Sequence, residues 1–163
     1  MSALALSLAL CLSANDGGVS ALDGTWVLDS ERSTDPGPVL ERLRVGWFLR
    51  KMAPTVKPTN VIVTTADRAT VEVKSPIGSR RNVLVFDGTT PTTDDFFGNP
   101  LTYVVTIEGD TIVGKGHVTL EKEGKVPLEL RRRVEDDGVM TLRIIVSPPG
   151  ETQIELKRVF KRK

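Results

Sequence analysis

The chain is poor in the side chains that carry most enzyme chemistry. It has one histidine, His117, and one cysteine, Cys11, among 163 residues. The acidic pairs Asp94-Asp95 and Asp136-Asp137 lie beside turns, and adjacent carboxylates on a strand point to opposite faces. The sequence therefore lacks the set of side chains that general-base catalysis or a metal cluster requires. The sequence predicts no catalytic residue, no metal site and no cofactor, and we expect the protein not to be an enzyme.

Aromatic side chains and net charge are also scarce. Aromatic residues make up 5% of the chain, few for a platform on which nucleic-acid bases stack, and the formal net charge is +1. We therefore expect no nucleic-acid partner. Basic clusters remain at residues 131–133 and 158–163, and we interpret them mainly as solvated faces. Binding of an anionic surface or nucleic acid through residues 161–163 is the weaker alternative.

The first fourteen residues are apolar and uncharged, and a polar stretch follows them. This run is too short to cross a bilayer and is similar to the apolar core of a secretion signal. We expect residues 1–21 to be a signal peptide and short leader, cleaved between Ala14 and Ala21. The protein would then be exported, to a periplasm or outside the cell, and would contain no cysteine. A cytoplasmic location is the alternative.

Residues 22–163 alternate between apolar and polar side chains almost throughout, as half-buried strands do. Gly, Asp and Pro clusters separate the runs and are typical of hairpin turns. Short strands joined by tight turns indicate an antiparallel meander, and closure into a barrel removes its exposed edges. We predict one all-β domain, a single antiparallel up-and-down barrel of about ten strands. The recognisable strands are residues 24–30, 60–65, 69–75, 80–86, 101–107, 111–120, 126–134, 139–146 and 152–160.

One interval between the first two strands departs from this alternation. Asp35 followed by Pro36 is a plausible helix start, and apolar residues then recur at helical spacing. A second apolar and basic segment, Trp47–Met52, ends before Pro54. The pattern predicts a helix–turn–helix lid. Trp47 and Phe48 would either gate ligand access or pack the lid onto the barrel rim.

Two late strands each place an arginine in phase with apolar side chains. Arg132 shares its parity with Val126, Leu128 and Leu130, and Arg158 shares its parity with Ile154, Leu156 and Phe160. Both arginines are therefore predicted to point into the barrel, where a guanidinium is costly without an acceptor. Because neither strand carries an inward acid, the pattern indicates a cavity suited to a carboxylate. An internal ion pair or a water-filled polar core is the alternative.

Four short motifs occur in order along the predicted domain. They are Gly-Thr-Trp at residues 24–26, Val-Gly-Trp-Phe-Leu-Arg-Lys-Met-Ala at residues 45–53 with Lys-Pro-Thr at 57–59, Leu-Arg-Arg-Arg at 130–133 with Glu-Asp-Asp at 135–137, and Lys-Arg-Val-Phe at 157–160. In these motifs the chain resembles the intracellular fatty-acid-binding proteins, members of the calycin group that includes the lipocalins. The resemblance covers residues 22–163 and implies the same barrel and lid.

The resemblance also implies a function and a ligand site. The family binds a fatty-acid carboxylate with an arginine on the eighth strand and an Arg-x-Tyr on the last strand. Arg132 and Arg158 fall on the two arginine positions, while Phe160 stands where the family has tyrosine. The expected function is non-catalytic binding and transport of a fatty acid or similar hydrophobic carboxylate. Its tail would lie against apolar faces such as Leu101, Tyr103, Val105, Leu142 and Ile144.

Two further expectations concern partners. We expect a monomer whose basic lid makes transient contact with anionic membrane while a fatty acid or other small amphiphile is exchanged. The runner-up function is a lipocalin-like structural or envelope interaction module with no carrier role, for which a barrel filled by side chains is expected.

Overall fold

The computed structural model describes residues 18–163, so most of the predicted signal peptide lies outside the described residues. Those residues form a short 3-10 helix at Val19–Leu22, two α-helices and ten strands. The helices are α1 (Pro36–Arg42) and α2 (Trp47–Met52). The strands are β1 (Gly24–Leu28), β2 (Thr59–Thr64), β3 (Arg68–Ser75), β4 (Gly78–Val85), β5 (Thr92–Phe96), β6 (Asn99–Glu108), β7 (Thr111–Leu120), β8 (Gly124–Val134), β9 (Met140–Val146) and β10 (Ile154–Arg162).

The ten strands form one antiparallel sheet that wraps into a nearly closed barrel. The order is β4-β3-β2-β1-β10-β9-β8-β7-β6-β5, so consecutive strands pair except β4 with β5, and β1 also pairs with β10. β4 and β5 end the order without a backbone ladder between them, which leaves a gap in the wall. The predicted ten-stranded up-and-down barrel, with two helices between the first two strands, is confirmed.

Strand β5 was not among the strands recognised in the sequence. Its residues Thr92–Phe96 contain two adjacent acids, which are uncommon in strands. Asp94 and Asp95 lie within this strand, and the turn that follows it begins at residue 97. Burial alternates along β5, with Thr92 and Phe96 buried, Asp94 half-buried between them, and Asp95 exposed. Asp94 consequently faces the barrel interior. The strands of the two predicted arginines, β8 and β10, place no acid there.

A tryptophan and an arginine close one end of the barrel. Trp26 is fully buried, and its indole Nε1 donates a hydrogen bond of 2.8 Å to the carbonyl oxygen of Leu22. The guanidinium of Arg162 stacks 4.3 Å from the centroid of the Trp26 ring and donates to the carbonyl oxygens of Ala21 and Asp23. The 3-10 helix, part of which was assigned to the leader, is thus attached to the barrel.

The lid is built as the sequence predicts. The side chain of Asp35 accepts a hydrogen bond from the backbone of Gly37, which caps the start of α1. Val39 and Leu40 of α1 are buried against the barrel. In the described part of the chain, no helix is both long and apolar enough to cross a bilayer.

Candidate functional site

The barrel encloses a cavity of about 300 Å³ beneath the lid. This volume lies at the lower end of the range found for small-molecule sites. Most of its lining is apolar and comes from strands on every side of the barrel. The five side chains predicted to hold an alkyl tail all line the cavity: Leu101, Tyr103, Val105, Leu142 and Ile144.

Arg132 and Arg158 both line this cavity, as their strand parity predicts. In the sheet, Arg132 of β8 is in register with Leu142 of β9, and Arg158 of β10 is in register with the same leucine. Residues opposite one another on neighbouring strands point to the same face. The two arginines therefore form one basic wall of the cavity, with a leucine between them.

Neither arginine has a protein acceptor among residues 18–163. The Nε atoms of Arg132 and Arg158 are buried without a hydrogen-bond partner, and no carboxylate in this range forms an ion pair with either guanidinium. By contrast, Arg131 pairs on the outer face with Glu108 at 2.8 Å. The alternative of an internal ion pair for Arg132 or Arg158 is therefore wrong for the described residues.

Burial affects the electrostatics of both groups. Loss of solvation lowers the pKa of Arg132; interaction with Tyr103 and the negative charge of Asp94 oppose this decrease, and the positive charge of Arg80 adds to it. Loss of solvation also lowers the pKa of Arg158. Arginine stays protonated in proteins, so both groups remain charged at neutral pH. Two buried positive charges that form no ion pair with a carboxylate of residues 18–163 favour an anion in the cavity.

Phe160 is buried beside Arg158 on the same face of β10. It lines the cavity and is 3% exposed. Its ring lacks a hydroxyl, so this position offers a ligand apolar contact and no hydrogen bond. All three residues predicted for the site are thus brought to one cavity.

An ion pair that the sequence analysis missed also faces the cavity. Arg80 of β4 and Asp94 of β5 lie with Nε and Oδ1 2.9 Å apart, so the pair bridges the two strands that lack a backbone ladder. The Asp94 side chain is only 13% exposed. The alternation of residues 92–96 could have indicated that Asp94 points inward, since it shares its parity with Thr92 and Phe96.

Three uncharged polar side chains of the lining have no hydrogen-bond partner in the described part of the chain, unlike Ser75, whose hydroxyl donates to the carbonyl oxygen of Gly78. They are Asn60 of β2, Asn82 of β4 and Tyr103 of β6, and none forms a side-chain hydrogen bond with residues 18–163. The Tyr103 ring lies over Gly114, where an added Cβ would come within 2.8 Å of the ring. Burial, together with the negative charge of Asp94, raises the pKa of Tyr103 to about 12.

The lid and two turns form the mouth of the cavity. Leu49 and Met52 of α2 line it together with Phe97 and Ile77 of the turns that follow β5 and β3. Trp47 and Phe48 are 62% and 66% exposed, so the interpretation that they pack the lid onto the rim is wrong.

Most of the lid's basic residues are already paired. Arg42, Arg44 and Arg50 each lie within 3.4 Å of a carboxylate, those of Glu151, Glu123 and Glu41 respectively. Lys51 instead lies 4.5 Å from the centroid of the Trp47 ring. The lid surface is therefore more aromatic and less positive than its sequence suggests.

Neither a metal cluster nor a histidine contributes to this site within the described residues. No group of three or more His, Cys, Asp or Glu side chains within residues 18–163 is placed to hold a metal ion. His117 lies on β7 and does not line the cavity. What the arrangement offers is a positive wall, an apolar chamber and a few hydrogen-bonding groups.

Comparison with known proteins bears on the fold. No family model and no curated protein sequence matches the chain. Among solved structures, a Schistosoma mansoni fatty acid binding protein in complex with arachidonic acid is 21% identical, with 90% of this chain and 99% of that chain covered and a TM-score of 0.71. Echinococcus granulosus fatty-acid-binding protein 1 is 17% identical, with 87% and 97% covered and a TM-score of 0.68.

A third solved structure, the REP1-NXSQ fatty acid transporter, is 20% identical, with 87% of this chain and 96% of that chain covered and a TM-score of 0.68. Structural similarity at such low sequence identity supports the fold and does not identify the ligand. The similarity nevertheless extends over almost the whole of each neighbour and over residues that fold as one barrel. The chain therefore has the fold of the fatty-acid-binding proteins.

Proposed function

We propose that this protein binds and carries a fatty acid or a similar hydrophobic carboxylate inside its barrel, without catalysing a reaction. The observation that carries the proposal is the pair Arg132 and Arg158, two buried guanidinium groups without protein acceptors at one wall of an apolar cavity. A buried charge is costly unless it is paired. A ligand carboxylate supplies the missing negative charge, while the rest of the cavity accepts its tail.

The two parts of such a ligand contribute in different ways. A charge-assisted hydrogen bond from a buried arginine to a carboxylate contributes roughly 1.5–3 kcal/mol. Each CH₂ group buried against the apolar lining contributes roughly 0.8 kcal/mol. The head group therefore determines the ligand class, and the chain length determines how tightly members of that class bind. Phe160 belongs to the apolar part of this site.

The alternative, a structural or envelope interaction module, expects a barrel filled by side chains. A cavity of about 300 Å³ whose polar lining has unused hydrogen-bonding groups supports the carrier instead. Packed protein interiors have few voids larger than a water molecule, because an empty space forfeits contacts on every side. The similarity to solved fatty-acid-binding proteins supports the same choice.

The carrier would exchange its ligand through the lid. Trp47 and Phe48 project into solvent beside the cavity mouth, and Ile77 of the neighbouring turn is 70% exposed. Aromatic side chains with apolar bodies favour the membrane interface, and Lys51 adds a positive charge next to Trp47. We propose transient contact with an anionic membrane at this surface, by a monomer.

We also propose that the protein is exported, with cleavage between Ala14 and Ala21. Cleavage before Ala21 keeps the carbonyl oxygens of Ala21 and Leu22, which accept hydrogen bonds from Arg162 and Trp26. N-terminal sequencing of the native protein, together with its cellular fraction, tests this. An intact Met1 in the cytoplasmic fraction would reject it.

The function itself is tested by titrating delipidated protein with a fluorescent fatty acid and displacing the probe with unlabelled acids. We expect saturable binding at one site per chain and displacement that strengthens with chain length. Absence of saturable binding would reject the proposal. Extraction and mass spectrometry of lipids that copurify with the protein would then identify the natural ligand.

A further inference from the structure

Two asparagines, one buried and one half-buried, face the cavity from other strands than the arginines. Asn60 of β2 is 3% exposed, and Asn82 of β4 is half-buried. Both line the cavity, and each shares its face with apolar neighbours, Ile62 on β2 and Leu84 on β4. An alkyl chain alone cannot form hydrogen bonds with the amides at these two positions.

The amides of both residues lack partners within residues 18–163. A carboxamide carries two donors and an acceptor, and buried polar groups in proteins are nearly always bonded. Asn99 shows the usual arrangement, since its Nδ2 donates a hydrogen bond of 3.2 Å to the carbonyl oxygen of Phe96. If a saturated tail displaced water from Asn60 and Asn82, both amides would remain unsatisfied, which is unfavourable.

The two amides form a polar wall together with the ion pair of Arg80 and Asp94. Arg80 precedes Asn82 on the same face of β4, and both Asn60 and Arg80 are in register with Val73 of the intervening β3. β3 and β8 are five positions apart in the ten-strand order in either direction around the barrel. The strand between Asn60 and Asn82 therefore lies opposite β8 in the strand order, while the charges of Arg80 and Asp94 are near enough to Arg132 to influence its pKa.

We infer that the ligand carries, besides its carboxylate, a hydroxyl or carbonyl oxygen within its chain, which Asn60 and Asn82 bind. The inference rests on the proposed function and narrows its ligand class to oxygenated fatty acids. A hydroxyl group matches the amides best, because it donates to the amide oxygen and accepts from the amide nitrogen. Because Asn60 and Asn82 lie on other strands than Arg132 and Arg158, the oxygen belongs to the chain of the ligand and not to its carboxylate.

The wild-type protein tests this without any substitution. Its affinity is measured for octadecanoic acid and for octadecanoic acids that carry one hydroxyl or one keto group at successive chain positions. We expect one or two neighbouring positions to bind about tenfold tighter than the saturated acid, from two added hydrogen bonds. If every oxygenated acid binds equally to or more weakly than the saturated acid, the inference is overturned.

Substitutions locate the effect. Asn60→Leu and Asn82→Leu should abolish the preference for the oxygenated acid and should not weaken the saturated acid. Asn99→Ala is the matched control, because this amide is bonded to the backbone and does not line the cavity, and it should leave the preference unchanged. Equal changes for both acids would mean that the amides hold only water, which would also overturn the inference.

These outcomes remain separate from failure of the carrier function. If no fatty acid of either kind binds, the proposed function fails. If acids bind without preference for chain oxygens, the carrier stands and the inference about Asn60 and Asn82 fails. Melting temperatures of the leucine variants identify any loss that is due to unfolding, and the wild-type series remains decisive in that case.

Discussion

Arg132 and Arg158 flank the same residue of the intervening strand, since each is in register with Leu142 of β9. Neighbouring strands lie about 4.8 Å apart, which places the two arginine Cα atoms about 10 Å from one another. Both long side chains extend into one cavity from this base. A carboxylate between them can contact both guanidinium groups, whereas protein acids are absent from this wall.

The two arginines should matter for acids and not for neutral ligands. Arg132→Leu and Arg158→Leu should each weaken the binding of a fatty acid by roughly 1.5–3 kcal/mol, because the charge-assisted hydrogen bond is lost. Binding of the fatty alcohol should hardly change, because burial of the tail is kept. Competition binding of both ligands measures this. Arg143→Leu on the outer face of β9 is the control, because Arg143 is exposed and pairs with Glu155. Equal losses of affinity for acid and alcohol would show that the arginines do not bind the carboxylate.

Position 160 tests where the head group lies. Phe160→Tyr adds a hydroxyl beside Arg158 and should tighten the acid by roughly 0.5–1.5 kcal/mol through one more hydrogen bond. The measurement is the same competition assay, accompanied by the melting temperature. A weaker acid, or a change confined to stability, would place the carboxylate elsewhere in the cavity.

The only tyrosine of the chain provides a test by pH. Burial and Asp94 raise the pKa of Tyr103 to about 12, so phenolate absorbance of the native protein should develop about 2 pH units higher than that of the unfolded chain. Because the folded pKa is the higher one, the neutral phenol stabilises the fold fully below pH 10, and this contribution is lost between about pH 10 and 12.

The loss should be on the order of 2–3 kcal/mol in the free energy of unfolding. The Tyr103→Phe variant should not show this loss of stability. The difference between wild type and variant therefore separates the contribution of Tyr103 from that of lysine titration. Coincident native and unfolded phenol titrations would show that Tyr103 is not enclosed.

Alternation allowed the interior arginines to be predicted because it is a local property of a strand. Arg132 and Arg158 follow regular runs of apolar residues, so their direction could be inferred from parity alone. The helix start at Asp35 was likewise predictable from local pattern.

Contacts between distant segments could not be predicted in this way. Arg80 meets Asp94 only because β4 and β5 border the gap in the barrel, and β5 itself was hidden by its two acids. The unpaired state of Asn60 depends on which neighbours the closed barrel brings near it. The exposure of Trp47 and Phe48 depends on the angle at which the lid docks.

The lid surface is expected to act in ligand transfer. Replacing both Trp47 and Phe48 with serine should slow transfer of a fluorescent fatty acid to vesicles, because these exposed rings would insert at the membrane interface. Equilibrium affinity should hardly change, since neither residue lines the cavity. Val63→Ser, an exposed apolar residue of β2, is the control. Unaltered transfer rates would exclude the lid from membrane contact.

The central claim is that Arg132 and Arg158 hold an ionised carboxylate inside the barrel, and the ionisation state of a bound fatty acid tests it most directly. Carbon-13 NMR of a carboxyl-labelled acid bound to the protein reports this state as pH is lowered. Two nearby positive charges should hold the pKa of the bound acid roughly 1–3 units below that of an unperturbed carboxyl group. The signal should therefore stay at its ionised position to lower pH than in the Arg132→Leu/Arg158→Leu variant. A bound carboxyl that titrates alike in both proteins would contradict the account.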